Sequence, residues 1–288
     1  MVQSPGVELL AKYAPKFCVT GSLCERVRTF AEQFANAFLN RDLPSCELQV
    51  LNSPTDHSGL GTGTQMGLAV GTALAYLYDI GDVNTCDFAL ALGRAGRSSV
   101  GTHGFIHGGL IVESGCYAEG PSLGPLISRL HFPDSWRFVL VRSSEDRGLS
   151  GEVERQAFRE LPPVPEKLNA QLCQTLLMEL LPAVAETDFD KFALALHKFG
   201  RLSGECFSPA QYGTYACAQT TKLVQRIQEL GYPGVGQTSW GPTLFVATAN
   251  AQAASHFVSL LRAHQGNVEC HITAPNNAGA VITEQAEY

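Results

Sequence analysis

Pro54-Thr55-Asp56-His57-Ser58-Gly59-Leu60-Gly61-Thr62-Gly63-Thr64-Gln65 lies between two segments of different periodicity. Ahead of it, Cys46 to Leu51 reads as a strand running into a polar turn from Asn52 to Ser58, and behind it an Ala- and Leu-rich helix is expected from Thr64 to Leu77. A strand, a glycine loop and a helix start therefore follow one another. Small residues let successive backbone N–H groups approach an anion, and the helix N-terminus adds about half a positive charge at that place. Gly59, Gly61, Thr62, Gly63 and Thr64 are the candidate phosphate cradle. The spacing matches neither GxxxxGK[ST] nor GxGxxG, so neither a P-loop nor a dinucleotide fingerprint is implied. An ordinary glycine turn before a buried helix accounts for the same residues equally well.

Upstream, Ser22-Leu23-Cys24-Glu25 has the pattern of a capping box, and Leu23, Val27, Phe30, Ala31, Phe34 and Phe38 recur at helical spacing, predicting a helix over Ser22–Leu39. Downstream, a short helix is expected over Asp87–Leu92, a loop entering a strand over Phe105–Glu113, and a strand over Trp136–Arg142. A linker rich in proline (Pro162, Pro163, Pro165) places the domain boundary near Ser150, giving domains 1–150 and 151–288. The second domain reads as helices over Glu166–Leu181, from Asp188, and over Thr214–Leu230, then a strand over Pro242–Thr248, a helix capped by Asn250 and a strand over Val268–Thr273. Helices and strands mix without strict alternation, so the class is α+β.

Two further glycine-rich signatures stand out. Leu92-Gly93-Arg94-Ala95-Gly96-Arg97-Ser98-Ser99-Val100-Gly101-Thr102-His103-Gly104-Phe105-Ile106-His107-Gly108-Gly109 offers two guanidinium groups and two hydroxyls suited to phosphate oxygens. Arg94, Arg97, Ser98 and Ser99 are the candidates for oxyanion contact; a solvated basic loop is the plainer reading. His103 and His107 could converge on a metal only from a helix, which the surrounding glycines oppose. His107 is a candidate catalytic group, with a structural histidine the better-supported alternative. Gly234-Val235-Gly236-Gln237-Thr238-Ser239-Trp240-Gly241-Pro242-Thr243 forms a turn whose Gly236, Gln237, Thr238 and Ser239 would make a polar wall, Trp240 anchoring it.

Composition narrows the class further. The 288 residues, 45% of them hydrophobic, are enough for one large or two compact cores, and a net charge of -7 argues against nucleic acid as a partner. No apolar run approaches the roughly 18 residues that cross a bilayer, and no secretory leader is legible, so a cytoplasmic protein is expected. Nine scattered cysteines, none in Cys-x-x-Cys spacing, suit reduced core thiols, and no metal-ligand set can be named.

In this order and spacing, the three signatures resemble the GHMP kinase superfamily and, within it, the beta-ribofuranosylaminobenzene 5′-phosphate synthase family of the methanopterin pathway. The resemblance spans about Leu48 to Val246. It implies an ATP-binding type of fold with an N-terminal α/β domain like one of a small-subunit ribosomal protein and a ferredoxin-like C-terminal domain. The implied reaction joins phosphoribosyl pyrophosphate to 4-aminobenzoate or 4-hydroxybenzoate, releasing carbon dioxide and pyrophosphate, with Mg2+ as the expected cofactor; whether the chain forms a homodimer is left open by the sequence. Where kinases of the superfamily read Gly-Leu-Gly-Ser-Ser-Ala, this chain has Gly59-Leu60-Gly61-Thr62-Gly63-Thr64, and where many carry Pro-Ser-Gly-Ile-Asp it has Arg97-Ser98-Ser99-Val100-Gly101. The catalytic aspartate has become glycine, which removes a recurring part of phosphoryl transfer. Arg97 and His107 are then the catalytic candidates. The Ser-Arg-Leu-His-Phe-Gly-like segment expected early in such synthases has no counterpart before Pro15, so a first sheet short of strands is expected. An ATP-dependent small-molecule kinase and an inactive remnant are the competing readings.

Overall fold

The computed structural model describes residues 1–39, 43–55, 58–81, 84–94, 98–115, 122–143, 156–157, 159–211 and 213–284. The chain divides into two compact units, one of residues 1–56, 61–131 and 276–288, the other of residues 57–60 and 132–275. The boundary expected near Ser150 lies outside the described residues. The first unit ends at His131, and the C-terminal segment returns to it, where Ala280 N–H donates to Phe105 O (2.7 Å) and Gly109 N–H to Asn276 O (2.6 Å).

In the first unit, β1 (Glu8–Tyr13) runs antiparallel and β2 (Cys18–Gly21) parallel to the central β3 (Cys46–Asn52). The parallel pair needs a crossover, and α1 (Cys24–Phe34), continued by a π turn over Ala35–Leu39, supplies it. Alternate residues of β3, Cys46, Leu48 and Val50, face a core that also takes Val27, Phe30 and Phe34 from α1. Burying each phenylalanine contributes about 1.5–3 kcal/mol. The expected capping box is absent: Leu23 is the N-cap residue, in left-handed conformation and without a side-chain bond, while Ser22 Oγ lies 2.9 Å from Ser53 Oγ. That pairing draws the serine away from the helix end.

Helix α2 (Thr62–Leu77) carries Gly63, Gly67 and Gly71 four residues apart, hence on one face. A Cβ on Gly67 would stand 3.3 Å from the Phe30 ring, one on Gly71 would stand 3.3 Å from Phe88, and one on Gly63 would overlap the Arg26 guanidinium. The stripe is thus a row of notches into which large side chains from α1 and α3 (Thr85–Ala91) fit. Asn84 and Asp87 cap α3 reciprocally.

The segment read as a loop entering a strand is instead helix α4 (Val100–His107) followed by β4 (Leu110–Glu113), which pairs antiparallel with β5 (Leu126–Leu130). Each helical glycine costs about 1 kcal/mol against alanine, but close approach decides here. A Cβ on Gly101 would lie 3.1 Å from Thr64 Cγ2, and one on Gly104 would overlap the Met1 side chain.

The second unit is built on an antiparallel sheet in the order β7 (Val235–Gln237), β8 (Leu244–Thr248), β6 (Arg137–Ser143), β9 (Val268–Thr273). Between β6 and β7 run α5 (Glu166–Thr175), a π turn over Leu176–Leu180, α6 (Leu181–Ala185), α7 (Phe189–Gln211) and α8 (Ala218–Glu229); between β8 and β9 runs α9 (Ala251–His264). This is the split βαβ order of ferredoxin-like domains. The helix expected over Glu166–Leu181 is interrupted because Pro182 has no N–H to return to the preceding turn, and the bonding slips to the wider π pattern. Helix α8 begins at Ala218, later than the expected Thr214, because the Cys217 sulfur accepts from Thr220 N–H and caps it there. Asn250 caps α9 as expected, accepting from Ala253 N–H at 2.9 Å.

Candidate anion site at the start of helix α2

Gly61 is the N-cap of α2, at φ 71° and ψ 19°, a left-handed conformation that favours glycine. Its carbonyl accepts from Thr64 N–H (3.0 Å) and Gln65 N–H (3.1 Å), leaving the Thr62 and Gly63 amides as the donors that a helix's first turn cannot satisfy internally. The Thr62 hydroxyl is buried and has no hydrogen-bond partner among the described residues. No acidic residue stands in this turn. Two guanidinium groups press on it instead: the position of a Cβ on Gly63 is overlapped by Arg26 Nη2, lies 3.1 Å from Arg26 Cζ and 3.3 Å from Arg94 Nη1. The Arg94 guanidinium also sits over the Phe30 ring, 4.9 Å from its centroid. The cradle residues Gly61, Thr62, Gly63 and Thr64 are thereby brought together with Arg94, as the sequence suggests. Arg26 was not in the expected set. Its signal was present, since Arg26, Phe30 and Phe34 are spaced by four and share the inward side of α1.

The second signature is used differently from its expectation. Arg97 lies outside the described residues. Ser98 Oγ donates to Glu113 Oε1 (3.1 Å) and accepts from Val100 N–H (3.3 Å), so it serves its own loop. Ser99 is fully buried and accepts from Gly124 N–H at 2.7 Å, while His103 Nε2 meets Gly124 O at 2.8 Å. Together they hold both backbone groups of Gly124. His107 is exposed at the C-terminal end of α4, where its carbonyl accepts from Arg129 Nη2 at 2.7 Å. Although α4 puts His103 and His107 one turn apart, the bond to Gly124 holds the His103 ring, and among the described residues no three His, Cys, Asp or Glu side chains are grouped to hold a metal.

Gly101, the position that the resemblance matches to the aspartate of many superfamily kinases, is half-buried and packs against α2. Thr64 Cγ2 stands 3.1 Å from where its Cβ would be, and Gln65 Nε2 donates to its carbonyl at 2.9 Å.

In the second unit, the third signature is a self-satisfied turn. Thr238 N–H and Oγ1 both donate to Thr243 O, at 3.0 and 2.9 Å, Gln237 Oε1 accepts from Ala216 N–H at 2.7 Å, and Gln237 Nε2 donates to Ser239 O at 3.0 Å. Gly236 is buried in β7 and Ser239 is exposed at the tip. Trp240 is buried against Phe207, centroids 4.9 Å apart, in the anchoring role expected of it. Gly59 belongs to this unit: with φ at 77°, its Cβ position lies 2.6 Å from Thr238 Oγ1 and 2.8 Å from Gly241 O.

These features define a class. Solved structures similar to this chain include mevalonate diphosphate decarboxylase from Staphylococcus aureus (TM-score 0.67, 16% identity, 96% of this chain and 86% of that one) and homoserine kinase from Cytophaga hutchinsonii (TM-score 0.66, 14% identity, 96% and 89%). The fold is that of the GHMP kinases. No protein-family model matches the chain. Among curated proteins, beta-ribofuranosylphenol 5′-phosphate synthase of Archaeoglobus fulgidus is 32% identical over 98% of this chain and 90% of its own length, and the synthase of the same name from Methanothermobacter thermautotrophicus is 29% identical over 67% of this chain and 60% of its own. The chain belongs to the beta-ribofuranosylphenol 5′-phosphate synthase family.

Proposed function

We infer that this chain transfers the ribose 5-phosphate unit of phosphoribosyl pyrophosphate to the ring carbon of 4-hydroxybenzoate that bears the carboxylate, with 4-aminobenzoate as the alternative acceptor. The C1–oxygen bond breaks and its electron pair leaves with pyrophosphate; the ring carbon closes a carbon–carbon bond to C1, and loss of carbon dioxide restores the aromatic ring. A phenol, the product class in the name of the relatives, is what 4-hydroxybenzoate would leave. The observation that carries this reading is the first turn of α2, where free amide donors and the Arg26 and Arg94 guanidinium groups converge with no carboxylate in the turn. Such a site stabilises charge developing on a departing diphosphate. Glycine at position 101, where many superfamily kinases carry an aspartate, disfavours a kinase because no carboxylate stands there to orient an acceptor hydroxyl.

Mg2+ is proposed to arrive with the diphosphate, whose oxygens would supply most of its ligands. The remaining expectations, a cytoplasmic homodimer serving methanopterin synthesis, belong to the same reading. The test is purified protein with phosphoribosyl pyrophosphate, Mg2+ and either benzoate. Equal release of carbon dioxide and pyrophosphate is expected; no release with either acceptor, or ATP-dependent phosphorylation of an alcohol, refutes it.

A further inference from the structure

We propose that the open groove at the end of β1 receives the proline run 161–165 of a second copy of this chain, so that two copies pair by exchanging runs. This contact gives the homodimer a surface, and it stands on observations independent of the synthase chemistry.

The groove belongs to the first unit and encloses about 770 Å3 between Tyr13, Pro15, Pro44, Ser45 and Tyr78. Its aromatic wall is set from within that unit. The Tyr13 hydroxyl donates to Leu77 O at the end of α2, and its ring meets Tyr78 edge-on, centroids 5.7 Å apart at 80°. Tyr13 nevertheless keeps 67% of its surface in solvent. A tyrosine tethered by its hydroxyl and bare on its ring offers a large apolar surface that loses little freedom on contact. Ser45, exposed beside it, adds a hydroxyl donor.

The occupant is the stretch Leu161-Pro162-Pro163-Val164-Pro165 in the second unit. Pro162, Pro163, Val164 and Pro165 are all exposed and belong to no helix or strand, and Val164 leaves 45% of its surface uncovered. Pro165 stands at φ −57° and ψ 137°, in the polyproline II region. That helix repeats every three residues, so Pro162 and Pro165 share one edge, and its carbonyls are free to accept. Aromatic-lined grooves take such segments because the run is already stiff: rings pack on tyrosine faces while carbonyls meet donors at the rim. Charge agrees as well. Glu160 and Glu166 bracket the run, and Lys16 is exposed next to Pro15 at the groove. Rim charges of opposite sign orient a contact and speed its formation. Each copy carries one run and one groove, so a two-fold pair uses both contacts at once, and each strengthens the other.

Sedimentation velocity of the full chain, from about 1 to 100 μM, is the test, with thermal melting recorded for each variant. A species of twice the 30.9 kDa chain mass is expected to grow with concentration. Tyr13→Ala should raise the dimer dissociation constant about tenfold or more. Pro162→Ser combined with Pro165→Ser should do the same without touching the groove. Lys16→Glu should weaken the pair about twofold to tenfold over its two contacts, and Lys16→Glu combined with Glu166→Lys should restore it, which loss of folding alone would not produce. A synthetic peptide of residues 158–168 should dissociate the dimer, and the same peptide with both substituted prolines should not. A chain that stays monomeric throughout, even one that binds the peptide, overturns the proposal, as does a dimer that persists in the folded Tyr13→Ala and proline variants. Carbon dioxide release from either benzoate, measured on the same proteins, reads the synthase separately: a chain that pairs as described but releases none keeps this contact and loses that reading, and a monomer that releases it does the reverse.

Discussion

Gly101→Asp restores the residue type that superfamily kinases use as a base, and the geometry predicts that it costs stability without conferring phosphoryl transfer. The new Cβ would lie 3.1 Å from Thr64 Cγ2 and 3.8 Å from Gln65 Nε2, and Gln65 is held by its 2.9 Å bond to the Gly101 carbonyl. The neighbour on α2 must therefore give way, at the about 1–3 kcal/mol typical of overpacking. A carboxylate in the first turn of α4 gains about 0.3–1 kcal/mol from the helix dipole. The net loss is about 1–2 kcal/mol, or roughly 2–4 °C of melting temperature per kcal/mol for a chain of this size. Thr64→Ala deletes the obstructing methyl, so Gly101→Asp combined with Thr64→Ala should recover most of that loss relative to Thr64→Ala alone. Differential scanning calorimetry on the four proteins, with a radiolabelled ATP assay against homoserine and mevalonate, measures both parts. A Gly101→Asp protein that melts with the parent, or that phosphorylates either alcohol, refutes this expectation.

Four other outcomes follow from the contacts. Ser99→Ala strips the buried Gly124 N–H of its acceptor and should cost about 1–3 kcal/mol in a urea melt; an unchanged midpoint would mean water replaces the hydroxyl. Trp240→Ala empties the site against Phe207 and should cost about 3–5 kcal/mol by the same assay. Gly59→Ala combines a positive φ with overlap at Thr238 and should lose more than about 1 kcal/mol and most of the turnover; full activity would separate the loop from the turn at Thr238. Burial pushes the Cys46 thiol up from 9.0 to about 11, so its contribution to stability is intact below pH 9 and is lost as pH rises through about 11. At pH 8, iodoacetamide should label exposed Cys173 well ahead of Cys46 in the folded protein, as mass spectrometry of tryptic peptides can read.

Elements with a strong period were legible before any coordinates. The apolar stripe of α1, the strand–loop–helix run into α2, and the Asn250 cap all reappear, because in each case local propensity and burial agree. The failures have physical causes. β1 and β2 went unread because neither alternates cleanly: β1, Glu-Leu-Leu-Ala-Lys-Tyr, ends with Lys12 paired to Glu47 on the open side of the sheet, and β2 has only four residues. Helix α4 went unread because glycine propensity is a backbone property, while the side chains that pack against Gly101 and Gly104, Thr64 and Met1, are remote in sequence.

The same distinction governs the candidate site. Hydroxyls and amides in a glycine-rich run look alike whether they face a ligand or their own backbone, and here Ser98, Ser99, Gln237 and Thr238 bond to a surface carboxylate, to the Gly124 N–H and within their own turn. What remains at the start of α2 is chemically narrow: backbone N–H, one buried hydroxyl and guanidinium. Donors of this kind hold an anion and have no basic oxygen to accept a proton from an alcohol. Glycine at position 101, where the resemblance implies an aspartate in many kinases of the superfamily, leaves that corner of α4 without the same acceptor.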